Sequence, residues 1–229
     1  SLLSRDERLS VAQEKLDHLY QDLQLEAAEL SIIRQTTASR LEQAIMEQLE
    51  QLHMGKATFK VEIKPKPAGL FDANGFDDVS FQISTNIGEP LKPLVKVASG
   101  GELSRIMLAL KTIFSKHQGI TSLIFDEVDT GVSGRVAQAI AEKIAMIATH
   151  SQVLCISHLP QVAAMADQHY LIKKNVEDDR TRTSIQDVID SERIEELSRM
   201  LSGAEITPLT LKHADELLTL ASERKKTFR

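Results

Sequence analysis

For 54 residues this chain contains neither glycine nor proline: the first of each is Gly55 and Pro65. Within that stretch Leu2, Leu9, Leu16, Leu23 and Leu30 recur every seventh residue, and Ala12, Leu19 and Ile33 supply a second row. A seven-residue apolar repeat keeps one stripe of a helix turned toward a partner helix, as in a coiled coil. The stripe changes phase near Thr36-Thr37 and resumes as Ala38, Leu41, Ile45, Leu49 and Leu52. If unbroken, the segment would be a rod on the order of 80 Å long. Two ordinary amphipathic helices lying on a globular core fit the same pattern, because the repeat is short.

Charge separates this segment from the rest. Of the 229 residues, 27 are Lys or Arg and 33 are Asp or Glu. Residues 1–53 hold five of the basic and ten of the acidic groups, so the remainder is nearly balanced. No part is basic enough to mark a nucleic-acid module by charge alone. No run approaches the ~20 apolar residues of a membrane span. The single cysteine excludes an internal disulfide framework and suits a reducing, cytoplasmic setting. A first residue of Ser rather than Met suggests a piece of a longer protein.

After Gly55 the period changes. Phe59, Val61 and Ile63 alternate with Lys60, Glu62 and Lys64, and Val79, Phe81 and Ile83 alternate likewise. Both read as half-buried strands, with breakers at Pro65, Pro67, Gly69 and Asn74-Gly75 between them, so an antiparallel pair is expected. From Val95 on, apolar runs at 123–125 and 153–156 alternate with helical spacings at 103–114 and 136–147. Continuous apolar runs are typical of strands buried on both faces, and their alternation with helices gives an α/β layer structure. A hairpin is expected from 170–172 and 183–188 around a polar segment at 175–182. Two helices close the chain, one over 192–201 stopped by Gly203, the other opened by Thr207-Pro208.

Three short segments carry chemistry. Ser99-Gly100-Gly101-Glu102 has the spacing of a capping box before a helical pattern. Its glycines leave backbone N–H groups open at a helix N-terminus, where an anion can bind, although glycine-bearing caps are also common without a ligand. Leu123-Ile124-Phe125-Asp126-Glu127 is an apolar strand ending in two adjacent carboxylates, which repel one another and resist desolvation. A phosphate-bound Mg²⁺ resolves that conflict: Asp126 serves the metal and Glu127 orients or deprotonates an attacking water. An acidic solvated turn is the plainer reading. Cys155-Ile156-Ser157-His158 places a histidine beyond the next strand. Ligands gather at the carboxyl ends of strands in open α/β sheets, so Asp126, Glu127 and His158 should share one edge.

Taken in order, these segments resemble the signature, Walker B, D-loop and switch-histidine elements of ATP-binding-cassette proteins. The fit is closest to the heads of SMC-like ATPases, and within them to bacterial DNA-repair members. The similarity runs over roughly residues 30–220, including Thr85–Glu89, Lys96–Arg105, Leu123–Gly134 and Ser157–Ala163. It implies an α/β fold: the C-terminal lobe of a head (54–229) preceded by a coiled-coil arm segment and connecting helix (1–53). It also implies that Ser99, Gly100, Gly101 and Glu102 meet the γ-phosphate of ATP held by the second head of a homodimer. Asp126 would serve Mg²⁺, Glu127 the hydrolytic water, Asp129 communication across the dimer, and His158 the γ-phosphate. Arg105 beside the signature would add positive charge near the nucleotide. The partners so implied are DNA at double-strand breaks, a second copy and a nucleotide-cradling lobe, with no membrane, in a bacterial cytoplasm at the nucleoid.

The sequence departs from that family in one respect. It contains no Gly-x-x-x-x-Gly-Lys-Ser/Thr; at Gly55-Lys56 the first glycine is replaced by Glu50 and the hydroxyl by Ala57. In the family the phosphate loop lies upstream of the coiled coil, so this chain is expected not to hydrolyse ATP alone. Two other readings compete with a repair ATPase: a lobe of another ATP-binding cassette such as a transporter motor, and a non-catalytic coiled-coil interaction module. Elsewhere, Cys155 reads as inert core, and His18, His53, His117, His150, His169 and His213 lack metal-ligand spacing. Lys173-Lys174, Arg180, Arg182 and Arg224-Lys225-Lys226 read as solvated faces or as contacts to DNA phosphates.

Overall fold

A computed structural model describes residues 2–67, 69–97, 100–119, 121–126, 128–132, 134–177, 180–203 and 205–228. The chain packs as two compact units, one of residues 1–47 and 56–96, the other of residues 48–55 and 97–229. The first hairpin thus belongs with the long helix, across the 53/54 boundary read from the sequence.

Without a breaker before Gly55, helix α1 (Leu2–Gln51) runs unbroken for 50 residues, about 75 Å. The change of phase does not interrupt it, and the Thr36 hydroxyl is absorbed by donating to the Ile32 carbonyl 3.0 Å away. What changes there is the surroundings. Leu9, Leu16, Leu19 and Leu23 of the first stripe lie exposed, Leu16 at 59%. Ile45, Leu49 and Leu52 of the second are fully buried, Ile45 in the first unit and the others in the second. The globular-core reading therefore holds for the second stripe, while the first remains an open apolar seam.

In the first unit β1 (Thr58–Pro65) and β2 (Asp77–Ser84) form the expected antiparallel pair, with Phe59 opposite Ile83 and Ile63 opposite Val79. A two-residue β3 (Lys92–Pro93) joins β2 on its other side. β1 would otherwise leave an open strand edge. Helix α1 covers it: Glu42 accepts the Val61 N–H at 2.9 Å and pairs with Lys60 at 2.8 Å, and Met46 Sδ faces the Phe59 N–H. The start of β2 is held by the buried carboxylate of Asp77, which takes bonds from Ser31 and Arg34 of α1. Tyr20, Phe71 and Phe76 stack edge to face beside it.

The second unit is the α/β layer. Helix α2 (Gly100–Gln118) leads to β4 (Ser122–Asp126), α3 (Gly134–Ile147), β5 (Gln152–Ile156) and the short α4 (Pro160–Met165). β4 and β5 pair in parallel, Phe125 beside Cys155 and Asp126 beside Ile156. Leu123 and Phe125 of β4 are buried, as are Ile106 and Leu108 of α2 and Ile140 and Ile147 of α3. The other face is open: Ile124 is 70% exposed, and Leu154 and Ile156 are about half exposed. Two-faced burial, expected from the continuous apolar runs, is thus met on one side only.

β6 (Tyr170–Glu177) and β7 (Arg180–Asp187) make the expected hairpin, but both strands run into the segment read as polar loop. Thr181 and Thr183 are β-branched and suit a pleated, solvated ribbon, which outweighs their polarity. Helix α5 (Asp190–Ser202) stops at Gly203, where φ is +79°, and α6 (Pro208–Lys226) opens with Thr207 as N-cap and Pro208 in its first turn. Among the described residues no helix is long and apolar enough to cross a membrane.

Two cations inside this unit are structural. Arg193 of α5 donates to the carbonyls of Ala163, Ala164 and Ala166, closing the C-terminal end of α4. Lys143 of α3 is buried, which lowers its pKa, and donates to Gln48 Oε1 at 2.6 Å and to Gln51 Oε1, both on the last turn of α1. Of the terminal basic cluster, Arg224 pairs with Glu142 at 2.8 Å and Lys225 with Asp167 at 3.0 Å. Those two groups are engaged in packing, in keeping with a plain structural reading of them.

Candidate functional site at the carboxyl edge of the parallel strands

Parallel pairing in register carries Asp126 to the end of β4 and Ser157-His158 to the end of β5, on one edge of the sheet. Asp126 is exposed there. Ser99 and Glu127, the expected first residue of the signature and the expected catalytic carboxylate, lie outside the described residues.

Val128–Val132 follows Asp126 as a tight turn, and it touches both other motifs. Val128 is completely buried and anchors it. Toward α2, Thr130 presents its carbonyl to Gly101: a Cβ on Gly101 would stand 2.6 Å from that oxygen. Only a residue without a side chain permits this approach. Gly100, one position earlier, has open space around it. Arg105, one turn further along α2, brings a guanidinium near the same point, 3.5 Å from where the Gly101 Cβ would be. Burial lowers the Arg105 pKa, and the neighbouring Glu102 works in the opposite sense. Gly100, Gly101, Glu102 and Arg105 thus share the N-terminal turns of α2 with the loop that follows the strand acid.

Toward β5 the same loop offers Asp129. Its carboxylate is 1% exposed, turned into the lobe and away from solvent. One oxygen, Oδ2, accepts from the Ser157 hydroxyl and from the His158 backbone N–H at 3.2 Å, and lies 3.5 Å from His158 Nδ1. The His158 side chain itself is 69% exposed. Ser157, which sequence reasoning passed over, is a full participant: its Oγ also accepts the Leu159 N–H at 3.0 Å. The only sequence signal for it is a hydroxyl next to the histidine at a strand end.

Cys155 lies on β5 one residue before Ile156. Burial, then the charges of Asp129 and Asp126, push its thiol up to about 12. At pH 8 only about one molecule in 10⁴ carries the thiolate, whereas a free cysteine near pKa 8.5 is substantially ionised. Alkylation by iodoacetamide at pH 8 is therefore expected to run on the order of 10³-fold slower than for a free thiol; labelling at the free-thiol rate, followed by mass spectrometry, would contradict it. Among the described residues no group of three or more His, Cys, Asp or Glu side chains is arranged to hold a metal ion. An exposed carboxylate such as that of Asp126 could offer one oxygen to a Mg²⁺ ion whose remaining ligands were phosphate and water, the way that ion is commonly bound.

No protein-family model matches the chain. It is 56% identical over 227 residues to the DNA repair protein RecN of Halalkalibacterium halodurans and 51% identical over 237 residues to that of Bacillus subtilis. It is 39% identical over 217 residues to RecN of Haemophilus influenzae. These alignments take in 98%, 98% and 95% of this chain and 40%, 41% and 38% of the relatives, so the chain spans about two-fifths of their length. Among solved structures, the Smc head domain with a coiled coil and joint from Pyrococcus yayanosii superposes with a TM-score of 0.58 at 16% identity, over 87% of this chain and 36% of that one. An Smc head with an extended coiled coil from Pyrococcus furiosus, bound to the C-terminal domain of ScpA, gives 0.52 at 18% identity, over 86% and 45%. Those likenesses establish the fold as that of an SMC head. With identity of this order running along nearly its whole length, the chain belongs to the RecN family of DNA repair proteins, of which it is the C-terminal part.

Proposed function

We propose that this chain is the lobe of a RecN-type ATPase head that serves the hydrolytic water and the γ-phosphate, working in recombinational repair of DNA double-strand breaks. The observation that carries the reading is the shared edge: Asp126, the 128–132 loop, the glycine start of α2 and His158 meet at the carboxyl ends of two parallel strands. In this reading Asp126 supplies an oxygen to Mg²⁺, whose bound form would neutralise phosphate charge. Glu127 orients the attacking water, and His158 faces the γ-phosphate. Ser99, Gly100 and Gly101, with Glu102 and Asp129 behind them, serve ATP held by the head of a second copy. ATP-driven engagement of two heads then holds or bridges DNA along the arms, at the nucleoid of a bacterial cytoplasm.

The division of labour is an arm at 1–53 and a lobe at 54–229. The phosphate-loop lobe, in the part of the protein outside this chain, covers the open sheet face of Ile124, Leu154 and Ile156. The seam of Leu9, Leu16, Leu19 and Leu23 receives the other strand of the arm. The decisive test is ATP hydrolysis by this chain alone and by the chain joined to its own upstream part. Turnover only in the joined form is expected. Turnover by the chain alone would mean a phosphate site outside this scheme, and none in either form would favour an interaction module.

A further inference from the structure

We propose that Ser157 is a positioning residue: its hydroxyl holds the Asp129 carboxylate inward, and that carboxylate holds the His158 ring with Nε2 on the open side. The 128–132 loop and His158 then behave as one body. The inference rests on the reading of His158 as the group facing the γ-phosphate.

A carboxylate with 1% exposure requires hydrogen-bond donors. Asp129 Oδ2 finds them in two consecutive residues of one strand end, the Ser157 hydroxyl and the His158 N–H. Ser157 uses both capacities of its hydroxyl, donating to Asp129 and accepting from Leu159 N–H, so its rotamer is fixed from two sides. Asp129 Oδ2 stands 3.5 Å from Nδ1, beyond a made hydrogen bond but close enough that a small turn of the ring would let Nδ1–H donate to it, which would leave Nε2 bare. A carboxylate behind an imidazole, fixing tautomer and orientation, is a recurring device for a histidine that must meet a ligand with its far nitrogen.

The arrangement also reaches the other motif. Asp129 is one residue from Thr130, whose carbonyl is packed on Gly101 at the start of α2. A shift at the glycine start of α2 therefore displaces Thr130, then Asp129, then the ring of His158. The same loop joins the group that would meet a partner's nucleotide to the group that would meet the lobe's own.

The test reads the ring directly. In this chain, ¹⁵N–¹H correlation of the histidine side chains, with His158 assigned by His158→Gln, should show Nδ1 protonated and Nε2 bare in the neutral ring. Ser157→Ala and Asp129→Asn should return the ring to a mixture of tautomers, and Ser157→Thr should restore the native signals. In the joined two-lobe protein, Ser157→Ala should lower kcat by about 10–100-fold, the usual effect of losing an outer-shell partner of a histidine, with KM unchanged. Unaltered His158 signals in Ser157→Ala overturn the proposal, even if melting temperature or turnover falls. Altered signals in a joined protein that hydrolyses no ATP in any form leave the positioning role standing and remove the reading of the site.

Discussion

In the protein joined to its upstream lobe, Glu127→Gln is expected to lower ATP turnover by about 10²–10⁴-fold, the range for loss of a positioned general base, while nucleotide still binds. The substitution keeps shape and removes charge. Asp126 ends β4 exposed at the sheet edge, and Val128 and Asp129 return at once to the buried interior. Two acids adjacent in sequence repel one another unless something positively polarised stands before them. Single-turnover measurement with γ-labelled ATP separates the chemical step from binding. An unchanged rate would sink the assignment of Glu127 and shift weight to an interaction module.

The second large effect is expected at Gly101. Alanine there places its methyl 2.6 Å from the Thr130 carbonyl oxygen, a backbone atom with no rotamer by which to yield. Either the first turn of α2 or the 128–132 loop must move. Overpacking of this kind costs about 1–3 kcal/mol, so the melting temperature of this chain should fall by about 2–12 °C. Gly100→Ala is the control, because nothing lies within 4 Å of its Cβ. It should be neutral or slightly stabilising, by about 0.4–1 kcal/mol, through loss of unfolded-state freedom. Equal destabilisation by the two changes would show that the close approach to Thr130 is not what Gly101 provides. In the joined protein Gly101→Ala should also depress turnover, since the displaced loop carries Asp129.

The long helix, the first strand pair and the α/β alternation could be read from the sequence because each rests on a local period that side-chain chemistry imposes. Burial could not be read so directly. Leu16 and Leu49 obey the same kind of repeat, yet one is exposed and the other has no accessible surface. Ile124, Leu154 and Ile156 come from continuous apolar runs and are nonetheless open. Thr181 looked like loop because the polarity of its segment was weighed above β-branching. At the site, residue types and order pointed to Asp126, the glycines and His158, and parallel pairing brings the first and last to one sheet edge. The inward turn of Asp129 was illegible, because an acid next to a turn glycine ordinarily faces water. Ser157 left almost no trace, and Lys143 none: a lysine inside a helix is expected at the surface until an acceptor from another segment is seen above it.

That lysine has a mechanical consequence. Lys143 grips Gln48 and Gln51 at the very end of α1, and it stands on the helix that begins just past the 128–132 loop. It ties the last turn of α1 to α3 inside the second unit. Removing that ammonium would leave both amide oxygens at the end of the helix without their donor.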